Sequence, residues 1–264
     1  TYRGDTFADV YEKALRDTLE NPEYTSSPRG MEIKEICNAA LVIDDPYFPL
    51  YENEVRSSQF KYIAGETVWY FTGRKDIKFI DKFSKFWKQL DNGDGTVNSA
   101  YGNLIFKELL SDGRNQWQGN KDFVCTLNGV FQIRDNRLNF TVDMRSNDLI
   151  LGTATDIAFF CLLQQQMLKH LERYYPELKM GTYTHIVHSL HIYERHFDLV
   201  KRMLNKSFEP MSYPPLQKNL ITTKGHPTDT MNELESDIVQ GWEGEWLNDP
   251  LFEWLAFHSN GGDI

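Results

Sequence analysis

The sequence predicts a mixed α/β protein (α+β in layout): a single domain over residues 1–264, with a large mixed β-sheet flanked by long helices. Three observations carry this. Apolar residues recur at helical spacing over 6–21, 52–73 and 156–174. Apolar runs and alternations suited to strands occupy 31–43, 137–144 and 182–192. No internal repeat or low-complexity tract breaks the pattern.

In chain order, residues 6–21 place Phe7, Val10, Tyr11, Ala14, Leu15 and Leu19 on one helical face. NPEYTSSPRG follows as a loop carrying Arg29, and MEIKEICNAALVI (31–43) reads as a strand. Tyr62, Ile63, Val68, Trp69 and Phe71 predict a helix over 52–73 that Gly73 closes, and a second helix covers 76–90. DNGDGT (91–96) is a turn-rich loop without the ligand sequence and terminal Glu of a calcium loop. FVCTLNGVFQIR (123–134) and RLNFTVDM (137–144) read as strands around the turn Asp135-Asn136, a hairpin signal. The apolar helix DIAFFCLLQQQMLKHLERY (156–174) has Thr155 or Asp156 well placed as its N-cap. A strand over 182–192 and a helix over 193–205 follow. The last sixty residues, 205–264, are polar, acidic and Trp-rich, with one helix around 230–241 and then an irregular tail.

The 264 residues can build a sizeable core, and 41% hydrophobic with 14% aromatic content fits a globular chain. A formal charge of −10 argues against general nucleic-acid binding, while leaving room for a small anion held by local arginines. No stretch reaches the ~20 apolar residues of a membrane span, and the N-terminus is unlike a signal peptide. Cys37, Cys125 and Cys161 have no metal-type spacing, so no metal is expected, and their odd number leaves at least one free. A reducing, cytoplasmic setting follows (host cytoplasm if the protein is viral).

Singly, the chemically interesting residues each have a plain structural reading. Cys125 is a small buried hydrophobe, or a nucleophile if a cation such as Arg145 favours its thiolate. Arg145 could equally grip a phosphate through paired hydrogen bonds. Glu66, beside Trp69 in GETVWYFTG, is an exposed helix-edge carboxylate or a proton shuttle in an apolar pocket. His191 and Tyr193 alternate on one face at a strand end, as core residues or as ligand contacts.

Together, SPRG (27–30), GETVWYFTG (65–73), NSAYG (98–102), DFVCT (122–126), MRSND-x3-G (144–152) and SLHIYERHF (189–197) resemble the thymidylate synthase superfamily over about residues 6–200. The resemblance implies that Cys125 adds to carbon 6 of a pyrimidine nucleotide, making carbon 5 a nucleophile toward 5,10-methylenetetrahydrofolate. It implies that Arg29, Arg145 and Ser146 hold the phosphate and that His191 and Tyr193 bind the sugar hydroxyl. Glu66 and Tyr101 would organise water and proton transfers, and Trp87, Asp148 and Gly152 would line the folate side. A homodimer is also implied, because family members complete each site across an interface.

Asp156 departs from thymidylate synthases, which carry Asn there. A carboxyl group suits cytosine, accepting from the exocyclic amine and sharing a proton with ring nitrogen 3. This is similar to phage deoxycytidylate hydroxymethylases, as is Thr126, where thymidylate synthases have His. The alternative role for Asp156 is a plain helix cap. Met144 replaces a usual Gln, and the segment from Tyr101 to Cys125, which in the family carries the partner subunit's phosphate-binding arginines, is short. The closing NGGDI lacks the family's final segment. The resulting expectation is a transferase forming 5-hydroxymethyl-dCMP (or CMP), in nucleotide biosynthesis for phage DNA modification. The alternatives are a cytidylate methylase using folate hydride and a non-catalytic nucleotide-binding homologue.

Overall fold

The computed structural model describes residues 1–106, 124–222, 226–240 and 249–261, apart from the side chains of Arg29 and Phe106. The segment joining Tyr101 to Cys125 and the closing NGGDI therefore lie wholly or partly outside the described residues. Along the chain the elements are β1 (Tyr2–Gly4), α1 (Phe7–Glu20), β2 (Tyr24–Ser26), β3 (Ile33–Ile43), β4 (Leu50–Glu52), α2 (Phe60–Phe71), α3 (Ile77–Ile80), α4 (Tyr101–Phe106), β5 (Thr126–Arg134) and β6 (Arg137–Met144). They continue with β7 (Asn147–Asp148), α5 (Thr153–Leu171), β8 (Lys179–Tyr193), α6 (Phe197–Leu204), β9 (Glu209–Met211), α7 (Asp229–Gln240) and α8 (Pro250–Ser259). They fall into two compact units: Thr1–Ser58 with Cys125–Pro215, and Gln59–Val124 with Leu216–Ile264.

The first unit holds the large mixed sheet, in the order β1-β3-β8-β6-β5, with β2 added to β3 and β7 to β8. Fifteen-residue β8 is its spine, antiparallel to β3 and parallel to β6. The β5–β6 hairpin turns through Asp135 and Asn136, both at positive φ (49° and 55°), as its two-residue turn requires. In α1, Thr6 and Asp9 form a reciprocal capping box, and the predicted apolar stripe is wholly buried. The core gathers Tyr11 and Leu15 of α1, Leu41 and Ile43 of β3, Val142 of β6, Phe159 of α5 and Tyr183 of β8.

The second unit is helical. In α2 every residue from Ile63 to Phe71 is buried, so the helix is enclosed rather than two-faced. At Gly102 an added Cβ would lie 1.9 Å from the Tyr70 carbonyl, so only glycine lets α4 rest on α2.

Several boundaries differ from expectation. The helix expected over 52–73 begins at Phe60, because the Asn53 side chain accepts from the Val55 N–H at 3.0 Å and holds a turn. The expected helix 76–90 splits into α3 and a 3-10 segment (Lys85–Leu90), where Ser84 caps a fresh start. The helix expected over 193–205 starts one residue later, since β8 runs through Tyr193: a 3-10 turn (Glu194–His196) leads straight into α6 at Phe197. The tail expected to be irregular contains α8, started by Asp249 accepting from Leu251 and Phe252 N–H, with Pro250 in the first turn.

Candidate active site

Cys125 was expected inside a strand but sits one residue before β5, and Arg145 sits one residue after β6. The open end of the hairpin joins them: the Arg145 N–H donates to the Cys125 carbonyl at 2.8 Å. Cys125 is half-buried, Arg145 exposed and Ser146 half-buried. Arg29 belongs to a 3-10 turn (Pro28–Gly30) preceding β3, whose first residue Ile33 pairs with Tyr193.

Beyond Ser146 the chain adds β7 to the end of β8, setting Asp148 beside His191 in register. Leu149 N–H donates to the His191 carbonyl at 2.9 Å. Asp148 Oδ1 accepts from the Ile150 and Leu151 N–H groups at 2.8 and 3.1 Å, fixing the turn into α5. Its other oxygen, Oδ2, is buried with no hydrogen-bond partner among the described residues. Buried acceptors are normally satisfied, so this one suits a ligand donor. His191 is buried, its ring edge-on to Tyr193 at 5.1 Å, and the Arg195 guanidinium lies over Tyr193.

Asp156 is not a cap. Helix α5 starts at Thr153 with Gly152 as N-cap residue, which puts Asp156 inside the first turn. Its Oδ2 accepts from Asn147 Nδ2 at 2.7 Å. Asn147 Oδ1 accepts from the Thr153 hydroxyl and faces His185 Nε2 at 3.4 Å, while His185 Nδ1 meets the Tyr183 hydroxyl at 2.8 Å. Asp156 as a residue retains some solvent contact, yet protein crowds its carboxyl closely enough that burial dominates. Burial pushes its pKa up to about 7, against the opposing pull of the Asn147 donor. Burial also holds His185 neutral, its pKa lowered to about 3, and drives the Tyr183 phenol well up.

Glu66, Trp87 and Tyr101 belong to the second unit, where all three are buried. Tyr62 and Tyr70 donate to Glu66 Oε1 at 2.6 and 3.3 Å. Trp87 Nε1–H donates to the Tyr62 hydroxyl at 3.1 Å, and Tyr101 packs on Tyr70 with ring centroids 5.7 Å apart. Glu66 is thus no exposed helix-edge carboxylate; it is the buried acceptor of this cluster.

Sequence reasoning missed Asn147, Thr153, Tyr183 and His185 around Asp156, and Tyr62 and Tyr70 around Glu66. Spacing carries a trace of each group. Tyr62, Glu66 and Tyr70 are four apart on a helix, and Tyr183 and His185 two apart on a strand, so each set shares a face.

A large mixed sheet flanked by helices, with this hairpin and turn leading into α5, defines the thymidylate synthase-like class of α/β fold. The family model described as thymidylate synthase matches residues 120–240. The chain is 30% identical over 213 residues to deoxycytidylate 5-hydroxymethyltransferase of Enterobacteria phage T6, covering 69% of this chain and 84% of that protein. It matches the phage T4 protein of the same name with the same identity and coverage. Thymidylate synthase of Clostridium beijerinckii is 23% identical over 236 residues, covering 81% and 87%. The chain belongs to the thymidylate synthase family.

Proposed function

We propose that this protein is a C5 one-carbon transferase that converts dCMP, or CMP, to the 5-hydroxymethyl nucleotide with 5,10-methylenetetrahydrofolate. The reading covers residues 1–264 as one thymidylate synthase-like domain working as a homodimer in the cytoplasm, that of the host if the protein is viral. Its main support is Asp156. This carboxyl is released from helix capping, held by an amide donor and poised near neutral pH. In its neutral form it offers cytosine one O–H donor for ring nitrogen 3 and one acceptor for the exocyclic amine. Asn at this position would offer the pattern that uracil needs. The names of the phage relatives support the same choice.

Cys125 Sγ, as the thiolate, forms a bond to carbon 6; the displaced π pair moves to carbon 5, and Asp156 steadies the charge on the base edge. Arg145, whose backbone N–H is tied to the Cys125 carbonyl, holds the phosphate with Arg29 and Ser146. His191 and Tyr193 take the sugar hydroxyl. Glu66, oriented by Tyr62 and Tyr70, positions water and moves protons at the exocyclic carbon, together with Tyr101, whose ring packs on Tyr70. The orphan Asp148 Oδ2 suits an N–H donor of a pterin ring, and the resemblance alone assigns Trp87 and Gly152 to the folate. Methylenetetrahydrofolate supplies the carbon at the oxidation level of formaldehyde, so water completes a hydroxymethyl group and hydride a methyl group.

The test is incubation with dCMP, CMP or dUMP and methylenetetrahydrofolate. We expect a mass gain corresponding to hydroxymethyl on a cytosine nucleotide, without dihydrofolate absorbance. Cys125→Ser should abolish turnover while nucleotide binding persists; retained turnover would sink the covalent mechanism. Product on dUMP alone would sink the assignment of Asp156.

A further inference from the structure

We infer that Asn147 is a positioning residue for base recognition: locked by Thr153 and His185, its amide fixes Asp156 Oδ2 as an acceptor and leaves Oδ1 to carry the proton offered to the base. This rests on the reading of Asp156 given above.

The direction of the relay follows from what each group can donate. His185 is fully buried and neutral, so it carries a single ring proton. The Tyr183 phenol stays protonated and donates to His185 Nδ1, which puts that ring proton on Nε2, facing Asn147 Oδ1. The Thr153 hydroxyl donates to the same Oδ1. With two donors converging on its oxygen, the Asn147 amide must turn its NH₂ toward Asp156. In a neutral carboxyl the carbonyl oxygen is the stronger acceptor, so an oxygen held by an amide N–H is favoured as the carbonyl one. The proton of neutral Asp156 therefore resides on Oδ1, and the second lone pair of Oδ2 remains for an amine.

Gly152 supplies a second, independent observation. Its φ is −113°, which any residue can adopt, so backbone freedom does not account for glycine. A Cβ added there would lie 3.1 Å from Asn147 Nδ2 and 3.3 Å from Asp156 Oδ2, pressing on both ends of their hydrogen bond. The absence of a side chain keeps that bond undisturbed. Among the described residues, the titratable groups of this cluster include Tyr183 and His185 of β8, Cys161 of α5 and Tyr213 after β9, which neighbour Tyr183, and Asp148 ahead of the helix. Burial keeps the tyrosines and Cys161 protonated and His185 neutral.

The experiment measures dissociation constants of the full chain for dCMP and dUMP by calorimetry between pH 5.5 and 8.5. Asn147→Ala should weaken dCMP binding about ten-fold with little change for dUMP, as expected for one lost orienting hydrogen bond. The pH at which dCMP binding falls off should also move upward, because a donor to the carboxylate is gone. Gly152→Ala should move both quantities the same way by less, and it decides the matter if Asn147→Ala does not fold. Equal losses for both nucleotides with an unmoved pH midpoint would overturn the role of Asn147, provided Asp156→Asn still shifts preference toward dUMP. If Asp156→Asn leaves preference unchanged, the reading of Asp156 itself fails and this inference falls with it.

Discussion

Two carboxyl groups, one in each unit, meet burial in different ways. Asp156 in the sheet unit receives one amide N–H, and burial still prevails, so its carboxyl holds a proton up to about pH 7. Glu66 in the helical unit receives two phenol hydroxyls on one oxygen, from residues one turn before and one turn after it on α2. Both relays take their direction from a group with a committed proton. Trp87 is a donor only, so its indole N–H fixes Tyr62 as acceptor there and commits the Tyr62 proton to Glu66. Near Asp156 the neutral His185 plays that part through Asn147. The lesson is that a donor-only or single-proton group at the far end of a chain sets the state of a carboxyl it never touches.

The largest expected effect tests the helical relay. Glu66→Ala leaves a buried and a half-buried hydroxyl without their shared acceptor and opens a cavity, so urea unfolding should show a loss of about 3 kcal/mol. Glu66→Gln keeps an oxygen for both hydroxyls and should lose far less stability while turnover still falls. Equal losses for the two variants would mean that the hydroxyls do not depend on that oxygen. A smaller, pH-dependent effect tests the sheet relay. The Asp156 carboxyl is raised from 3.8 to about 7 on folding, so its stability contribution is complete below pH 3.8 and is lost as pH rises through 7. Asp156→Asn removes that loss. Its melting temperature relative to the parent should therefore climb between pH 4 and 7 and level off above. A flat difference would show that Asp156 does not take up a proton on folding.

Most of the sheet unit was legible in the sequence because its signals are local. The stripe Phe7-Val10-Tyr11-Ala14-Leu15 and the turn Asp135-Asn136 need only near neighbours to act. The site was legible as motifs, which give residue types and order but not partners. Asn147 lies between two motif residues and carries no local signal of its own, because its importance comes from Thr153 and from His185, thirty-eight positions away. By residue type alone Thr155 and Asp156 are good caps, which points to a helix end at Asp156. The helix starts earlier because the Asp148 carboxylate organises the turn before it. Short elements such as β7 and β9 exist only as partners of distant strands, so no periodicity announces them.

The smallest expected effect isolates the direction of the helical relay. Tyr62→Phe removes the hydroxyl that accepts from Trp87 and donates to Glu66, while Tyr70 still donates to the same oxygen. The ring is retained, so packing changes little and the stability loss should be about 1 kcal/mol. The indole N–H of Trp87 loses its acceptor, and its fluorescence should shift relative to the parent, whereas Tyr70→Phe should leave that emission unchanged. If both variants shifted the Trp87 signal equally, the hydroxyl of Tyr62 would not be the group that links indole to carboxylate. The contrast with the sheet relay would then reduce to burial alone, because direction along the helical chain would no longer be set by its donor-only end.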